Sequence, residues 1–331
     1  MSLIQKLEEA ATEQSRGKAT VQCYSFWVRK FYGFIQKRGS EWTGPDVRAW
    51  MLHLADANYS AVSRKQALNA VVFVFKHVLK RDLGHLDLPP MPRVRQTLRT
   101  IPSREELGRI FSGLSGQSKL MALIMYGSGL RVGCECCRLR VKDVDFSGPA
   151  LEVWEGKGQK CRRTVLPVSL VPALRRHIAW VKSVHDLDLA NGGGLVELPD
   201  RLGRKYRNAS REFGWQWLFP SSVVRGQYRW HATDEMVGKQ MRAALRAAGI
   251  VKRITPHTLR HAFATHAMQV GNDPRTVQDL LGHESLETTM IYLHGDTVTG
   301  VSPLDAIARP VARIAGHLEY QAARPHHLIA S

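Results

Sequence analysis

Residues Thr255 to His294 read TPHTLRHAFATHAMQVGNDPRTVQDLLGHESLETTMIYLH and place His257, Arg260, His283 and Tyr292 in one order. Far upstream stand Arg131, after the turn GSGL, and Lys157, within GKG. Together these side chains suit cleavage of a phosphodiester. A tyrosine that attacks phosphorus yields a covalent 3′-phosphotyrosyl intermediate. That intermediate keeps the bond energy for religation, so ATP is unnecessary. The pentavalent transition state gathers negative charge on its nonbridging oxygens, and the guanidinium groups of Arg131 and Arg260 can clamp it. Lys157 can give the leaving 5′ oxygen its proton as general acid, His257 can assist proton transfer, and His283 can donate to a phosphoryl oxygen. No metal is needed once such cations surround the phosphate. Asp143 and Asp145 are close in sequence but suit a helix end and a turn better than an ion.

Each residue also has a plainer reading. Tyr292 alone is a core or surface aromatic, and His257 with Arg260 alone could be structural. A lysine in a hairpin turn is usually solvated, and GKG is not a Walker motif. His261 and His266 read as structural or capping histidines. The weight lies in the full set.

The elements must then position that set. Thr255 is a natural N-cap and Pro256 a natural first helical residue. His257 and Arg260 share a face at that helix N-terminus, where a phosphate is favoured. Leu259, Phe263, Ala267 and Val270 supply the buried side. A helix is expected over 272–281, closed by Gly282, with His283 next and Ser285 capping a last short helix. Strands are expected at 151–156 and 161–167 around the turn with Lys157. Helices are expected from Ser103, with Glu106 completing a capping box, and at 118–126, 170–183 and 233–249. In the first ninety residues the apolar spacing predicts helices at 20–38, 44–55 and 60–79, with Ser60 or Ser63 as caps. Such a helical domain could present a basic helix to a DNA groove or be an ordinary bundle with a charged face.

The chain has 331 residues, enough for two domains. Its 47 Lys and Arg against 29 Asp and Glu give a formal charge of +18, which favours a polyanionic partner without choosing among DNA, RNA, a membrane surface or an acidic protein. A hydrophobic fraction of 44% excludes a mainly disordered chain. The five cysteines are Cys23, Cys134, Cys136, Cys137 and Cys161, an odd and clustered set that suits a reduced, cytosolic protein with thiols on a buried helix face. The first residues lack an apolar signal core, and no stretch reaches membrane-spanning length. Three prolines and alternating basic residues mark 85–101 as a linker region. The expected layout is a helical domain at 1–90, a linker at 91–103, a catalytic domain at 104–300 with an unusual basic and aromatic region at 190–232, and a tail at 301–331.

The segments GSGLR, RLRVKDVDF, GKGQKCRRTVLP, TPHTLRHAFATH and LGHESLETTMIY together resemble the tyrosine recombinases. The resemblance assigns Arg131, Lys157, His257, Arg260, His283 and Tyr292 to the family's catalytic positions. It implies a mainly α fold with a small β-sheet, in which two domains form a clamp on DNA. It also implies no cofactor, four protomers assembling on DNA, and a Holliday junction intermediate in a cytoplasmic, nucleoid-associated enzyme. Within the family, RKYRNASREFGWQWLFPSS, AGIVKRITPHTLRH and RKQALNAVVFVFKHVL are most similar to integron integrases. That subgroup moves gene cassettes and uses folded single-stranded hairpin sites with extrahelical bases. Trp215, Trp217 and Phe219 would pack the 190–232 region or meet such bases, with packing preferred. Candidates for DNA contact are Lys65, Lys160, Arg204, Lys205, Arg229 and His231. Competing readings are a duplex-specific chromosomal or phage-type recombinase, and a decayed integrase that only binds DNA.

One departure bears on the last. The family places an acidic residue three positions after the first arginine; here that position is Cys134, and Glu135 follows. One extra residue turns a helix by about 100°. A π-bulge or looser turn can absorb it; otherwise Arg131 is misaimed.

Overall fold

The computed structural model describes residues 2–14, 16–39, 41–88, 101–154, 161–199, 202–206 and 208–282. The chain divides into two compact units, Met1–Leu98 and Arg99–Ser331.

The first unit is helical: α1 (Leu3–Glu13), α2 (Lys18–Arg38), α3 (Gly44–Asp56) and α4 (Ala61–Phe73). Helix α1, within the opening stretch not assigned from sequence, begins at a Ser2–Gln5 capping box and buries Leu7, Ala10 and Ala11. The predicted third helix starts at the Ser60 cap but changes character at Val74, where π-helical turns run to Leu79. Trp27, Phe31, Trp50, Val71 and Val74 form the core, with the rings of Phe31 and Trp50 4.9 Å apart. Lys65 is exposed on α4.

The second unit is built around α6 (Gly116–Ser128), which is buried continuously from Ser118 to Ser128. Against it pack α5 (Arg104–Ser112), α7 (Val171–Ala190), α9 (Asp234–Ala247) and α10 (Pro256–Gln269). The Ser103–Glu106 capping box forms as the sequence predicts. Helix α7 runs seven residues past the predicted end at 183, to Ala190. Helix α11 (Pro274–Leu281) starts later than predicted: Asp273 caps it, and Asn272 instead turns its amide back to the Ala267 carbonyl.

A three-stranded antiparallel sheet orders β1 (Val144–Asp145), β2 (Ala150–Trp154) and β3 (Cys161–Val165). The register pairs Trp154 with Cys161, so β2 and β3 are joined up to the six residues between them. Thr164 on β3 donates to the Ser128 carbonyl at 2.8 Å and ties the sheet to the end of α6. Beyond α7 come the short α8 (Leu202–Lys205) and a hairpin of β4 (Pro220–Arg225) and β5 (Tyr228–His231). Gly226, at φ +58°, opens its two-residue turn. The hairpin was not predicted, although VVRGQYRW carries its signal, a glycine in a two-residue gap between apolar positions.

Candidate active site

The site begins where α6 ends. Gly129 terminates that helix in the left-handed region, and a Cβ there would lie 2.7 Å from Phe263 and 2.8 Å from Leu281. Only glycine lets α10 and α11 close on this turn. Arg131 stands two residues on. The extra residue between Arg131 and Glu135 is absorbed by backbone bonds spanning five residues: Cys136 N–H donates to the Arg131 carbonyl and Cys137 N–H to the Val132 carbonyl, both at 2.9 Å. This is π-type closure, one of the two solutions expected. It corrects the reading of the thiols: they lie in this turn and the 3₁₀ turn after it, with Cys136 and Cys137 buried and Cys134 exposed, not on a helix face. Burial pushes the Cys137 thiol up to about 12 and Cys136 well above its usual range.

The π-type turn returns Glu135 to Arg131. Its carboxylate accepts from the Arg131 backbone N–H at 2.7 Å and from the Arg131 guanidinium at 2.5 Å. Arg162 of β3 adds a two-pronged bond, 2.9 Å to each oxygen, and Arg260 of α10 a longer one at 3.3 Å. Glu135 is 4% exposed. Burial pushes its carboxyl up, but the fork from Arg162 and the nearby charges outweigh this and hold it below the usual range. One carboxylate thus organises three guanidinium groups, and the cluster keeps a positive excess suited to an anion.

Arg260 is also fixed by the Gly129 carbonyl at 2.7 Å and the Leu281 carbonyl at 2.6 Å. Arg131 is the more open of the predicted pair, its side chain 34% exposed against 8% for Arg260. The helix start forms as expected: Thr255 and Thr258 share a capping box, Pro256 opens α10, and His257 is exposed in its first turn. Leu259, Phe263 and Ala267 are fully buried, as are several neighbours, so the helix is enclosed nearly all round. His266 is buried and shares a hydrogen bond with the Tyr126 hydroxyl at 2.9 Å. Lys157, Lys160, His283 and Tyr292 lie outside the described residues. Among the described residues no group of His, Cys, Asp and Glu is placed to hold a metal.

Arg162 was missed from sequence. Alternation along β3 could have found it, since Arg162 and Thr164 point inward while Cys161 and Arg163 point out.

The 190–232 region is stitched to the segment that follows the Arg131 turn. Leu218 N–H donates to the Leu139 carbonyl at 2.8 Å, and Val141 N–H to the Gln216 carbonyl at 3.0 Å. Arg140 sits in the middle, buried, donating at 2.6 Å to the carbonyls of both Trp215 and Glu197 and lying 4.0 Å over the Trp217 ring. Burial lowers its guanidinium to about 10. Trp217 and Phe219 are buried, in keeping with the preference for packing. Trp215 is half-buried, and the Lys142 ammonium lies 4.4 Å over its ring and 4.8 Å over that of Trp154. Trp154, at the last residue of β2, is 55% exposed, and its Nε1–H donates to Asp143 at 3.2 Å.

Two candidate DNA contacts, Arg229 and His231, have partners within the fold. Arg229 gives its guanidinium to Asp188 of α7 (Nε–Oδ2 2.7 Å) and to the Ser221 carbonyl at 3.0 Å, so it locks the hairpin to α7. His231 donates to the Ala232 carbonyl at 2.7 Å and packs against Trp217 and Trp230, and burial pulls its imidazole below the usual range. Both are held inward because β5 faces α7 and the Trp217 ring. Lys205 is exposed at the end of α8; the Arg204 side chain lies outside those described.

Residues 103–298 match the phage integrase family, and residues 3–85 match the phage integrase N-terminal SAM-like domain. The chain belongs to the phage integrase family of tyrosine recombinases. An integrase/recombinase of Escherichia coli is 41% identical over 302 residues, covering 87% of this chain and 88% of the relative. The tyrosine recombinase XerC of Halalkalibacterium halodurans is 30% identical over 298 residues, covering 85% and 88%. Among solved structures, XerH bound to its difH substrate aligns with a TM-score of 0.60 at 20% identity, over 89% of this chain and 82% of that one. The Tn1549 transposon integrase in complex with transposon right-end DNA aligns at 0.61 and 17%, over 90% and 96%. These two likenesses establish the fold. The recombinase is therefore a mainly helical enzyme of site-specific DNA strand cleavage and religation. No helix among the described residues is long and apolar enough to cross a membrane.

Proposed function

We propose that this recombinase is of integron type, inserting and excising gene cassettes by cutting folded single-stranded hairpin sites as well as duplex DNA. Tyr292 attacks phosphorus and the 5′ oxygen leaves with a proton from Lys157. Arg131 and Arg260 neutralise the nonbridging oxygens, His257 assists proton transfer, and His283 donates to the phosphoryl group. No metal or nucleotide enters these steps. Residues 1–90 carry the core-binding domain and 104–300 the catalytic domain, with 301–331 as a tail. Four protomers assemble on DNA in the cytoplasm, at the nucleoid. Lys65, Lys160, Arg204 and Lys205 contact the backbone.

The observation that supports the finer reading is the exposed Trp154 ring, held by Asp143 and Lys142 beside the half-buried Trp215. An exposed indole fixed at its edge offers a face on which an unpaired base can stack. The integrase/recombinases of Escherichia coli and Pseudomonas aeruginosa are 41% identical, and Xer-type relatives 28–30%. Those same Xer-type relatives support a second reading, a recombinase confined to duplex sites. The bracing of Arg131 by Glu135 weighs against a decayed enzyme.

The test is denaturing-gel capture on a nicked, labelled integron hairpin site and on its fully paired counterpart, with excess EDTA. Metal-independent adduct on the hairpin, lost in Tyr292→Phe while binding persists, is the expected result. Adduct on the paired site alone favours the duplex reading. Adduct formed by Tyr292→Phe removes Tyr292 as nucleophile.

A further inference from the structure

Arg162 is the third guanidinium at Glu135, and its side chain is only 11% exposed. Like Arg260, whose side chain is 8% exposed, it is tied both to Glu135 and to a carbonyl at the end of α11. Its terminal nitrogens fork onto both Glu135 oxygens at 2.9 Å, while Nε donates to the Leu280 carbonyl at 3.0 Å. Cys161, the residue before it, pairs with Trp154 at the mouth of the segment carrying Lys157. Leu280 lies near the end of α11, three residues before His283 in sequence. One planar group therefore links the strand leaving the lysine segment, the carboxylate that aims Arg131 and Arg260, and the helix leading to His283 and Tyr292. A lysine could neutralise Glu135 but could not supply these three directed bonds.

We propose that Arg162 is a positioning residue for strand cleavage, acting through Glu135 to set the geometry of the Arg131 and Arg260 pair. The proposal rests on the assignment of those two arginines as the phosphate clamp. Without Arg162, the partners left to Glu135 among the described residues are the two groups it must aim, and Oε1 keeps the Arg131 guanidinium. The cleavage step itself is unchanged: the Tyr292 oxygen forms a bond to phosphorus, the bond from phosphorus to the 5′ oxygen breaks, and that oxygen takes a proton.

The experiment measures the adduct-forming rate of the full-length protein at saturating DNA, on the suicide oligonucleotide it cleaves. The scissile linkage is either the ordinary phosphodiester or a methylphosphonate, in which a methyl replaces one nonbridging oxygen and the charge is gone. A residue that serves the arginine clamp matters on the first and little on the second. Arg162→Ala is expected to slow the diester reaction about 10²-fold, as misplacement of a clamp does, with DNA affinity nearly unchanged. On the methylphosphonate it is expected to run close to the unaltered protein. Arg162→Lys should fall between, and it decides the question if the alanine variant unfolds. An equal deficit on both substrates, or none on the diester, overturns the positioning role. Arg260→Ala is the control: if its own deficit persists on the methylphosphonate, the clamp assignment fails instead.

Discussion

Glu135 takes the backbone N–H of Arg131 at 2.7 Å and its guanidinium at 2.5 Å, from four residues along the chain. The five-residue closures at Cys136 and Cys137 make this reach possible. Removing Cys134 would place the acid three residues after Arg131 and convert those closures to ordinary helical ones. The deletion is expected to fold and to retain adduct formation within several-fold. One alanine inserted after Gly133 should abolish it, because no further slack exists before Leu139 joins Leu218. Thermal unfolding with suicide-substrate capture checks both.

Two buried histidines make the fold sensitive to mild acid. Burial lowers His177 to about 4, although it donates to the Leu218 carbonyl, and burial together with the Arg104 charge lowers His266 to about 4. The unfolded chain protonates both near 6.5, so between 6.5 and 4 it binds more protons than the folded one. Their stabilisation is complete above 6.5, declines as pH falls, and levels off near 4. Each histidine contributes at most about 3 kcal/mol to that decline. Denaturant titrations at pH 7.5 and 5 should show a loss of a few kcal/mol, and the pair His177→Gln with His266→Gln should flatten it. An unchanged slope would show that these sites are not the source.

Arg229 and Lys65 separate a structural cation from a solvated one. Arg229→Ala takes this partner from the partly exposed Asp188 and is expected to cost about 1–3 kcal/mol. The salt dependence of DNA binding should stay the same. Lys65→Ala or Lys205→Ala should leave stability intact and reduce the log–log salt slope by about one if each meets a phosphate. Binding isotherms from low to moderate salt decide between the patterns.

Trp154→Ala removes the exposed face beside Lys142. If that face stacks an unpaired base, affinity for a hairpin with an extrahelical base should fall by about 1–3 kcal/mol. Affinity for a perfect duplex should hardly change. Equal loss on both would assign Trp154 to general DNA contact or packing.

The turn before Arg131 and the α10 start were legible because their signals are local. Thr255-Pro256 caps a helix wherever it occurs, and GSGLR announces a turn that glycine alone can make. The role of Glu135 was open because a one-residue insertion reads as damage until its backbone bonds are seen. Arg162 was hidden for a different reason. Its partners lie 27 and 118 residues away, and nothing adjacent to it hints at either. The partner of Arg229 was hidden in the same way: Asp188 lies on a helix 41 residues earlier.

The carbonyls of Leu280 and Leu281 at the end of α11 are taken by arginines from β3 and α10. Exchange of parts between relatives must respect that knot. A chimaera that imports α11 and the chain beyond it, but keeps a β3 without a matching arginine, would carry every proposed catalytic side chain and is expected to register them badly. Crossovers placed before β2 or after the closing segment move the knot whole, and those are the junctions at which hybrid recombinases of this fold should be built.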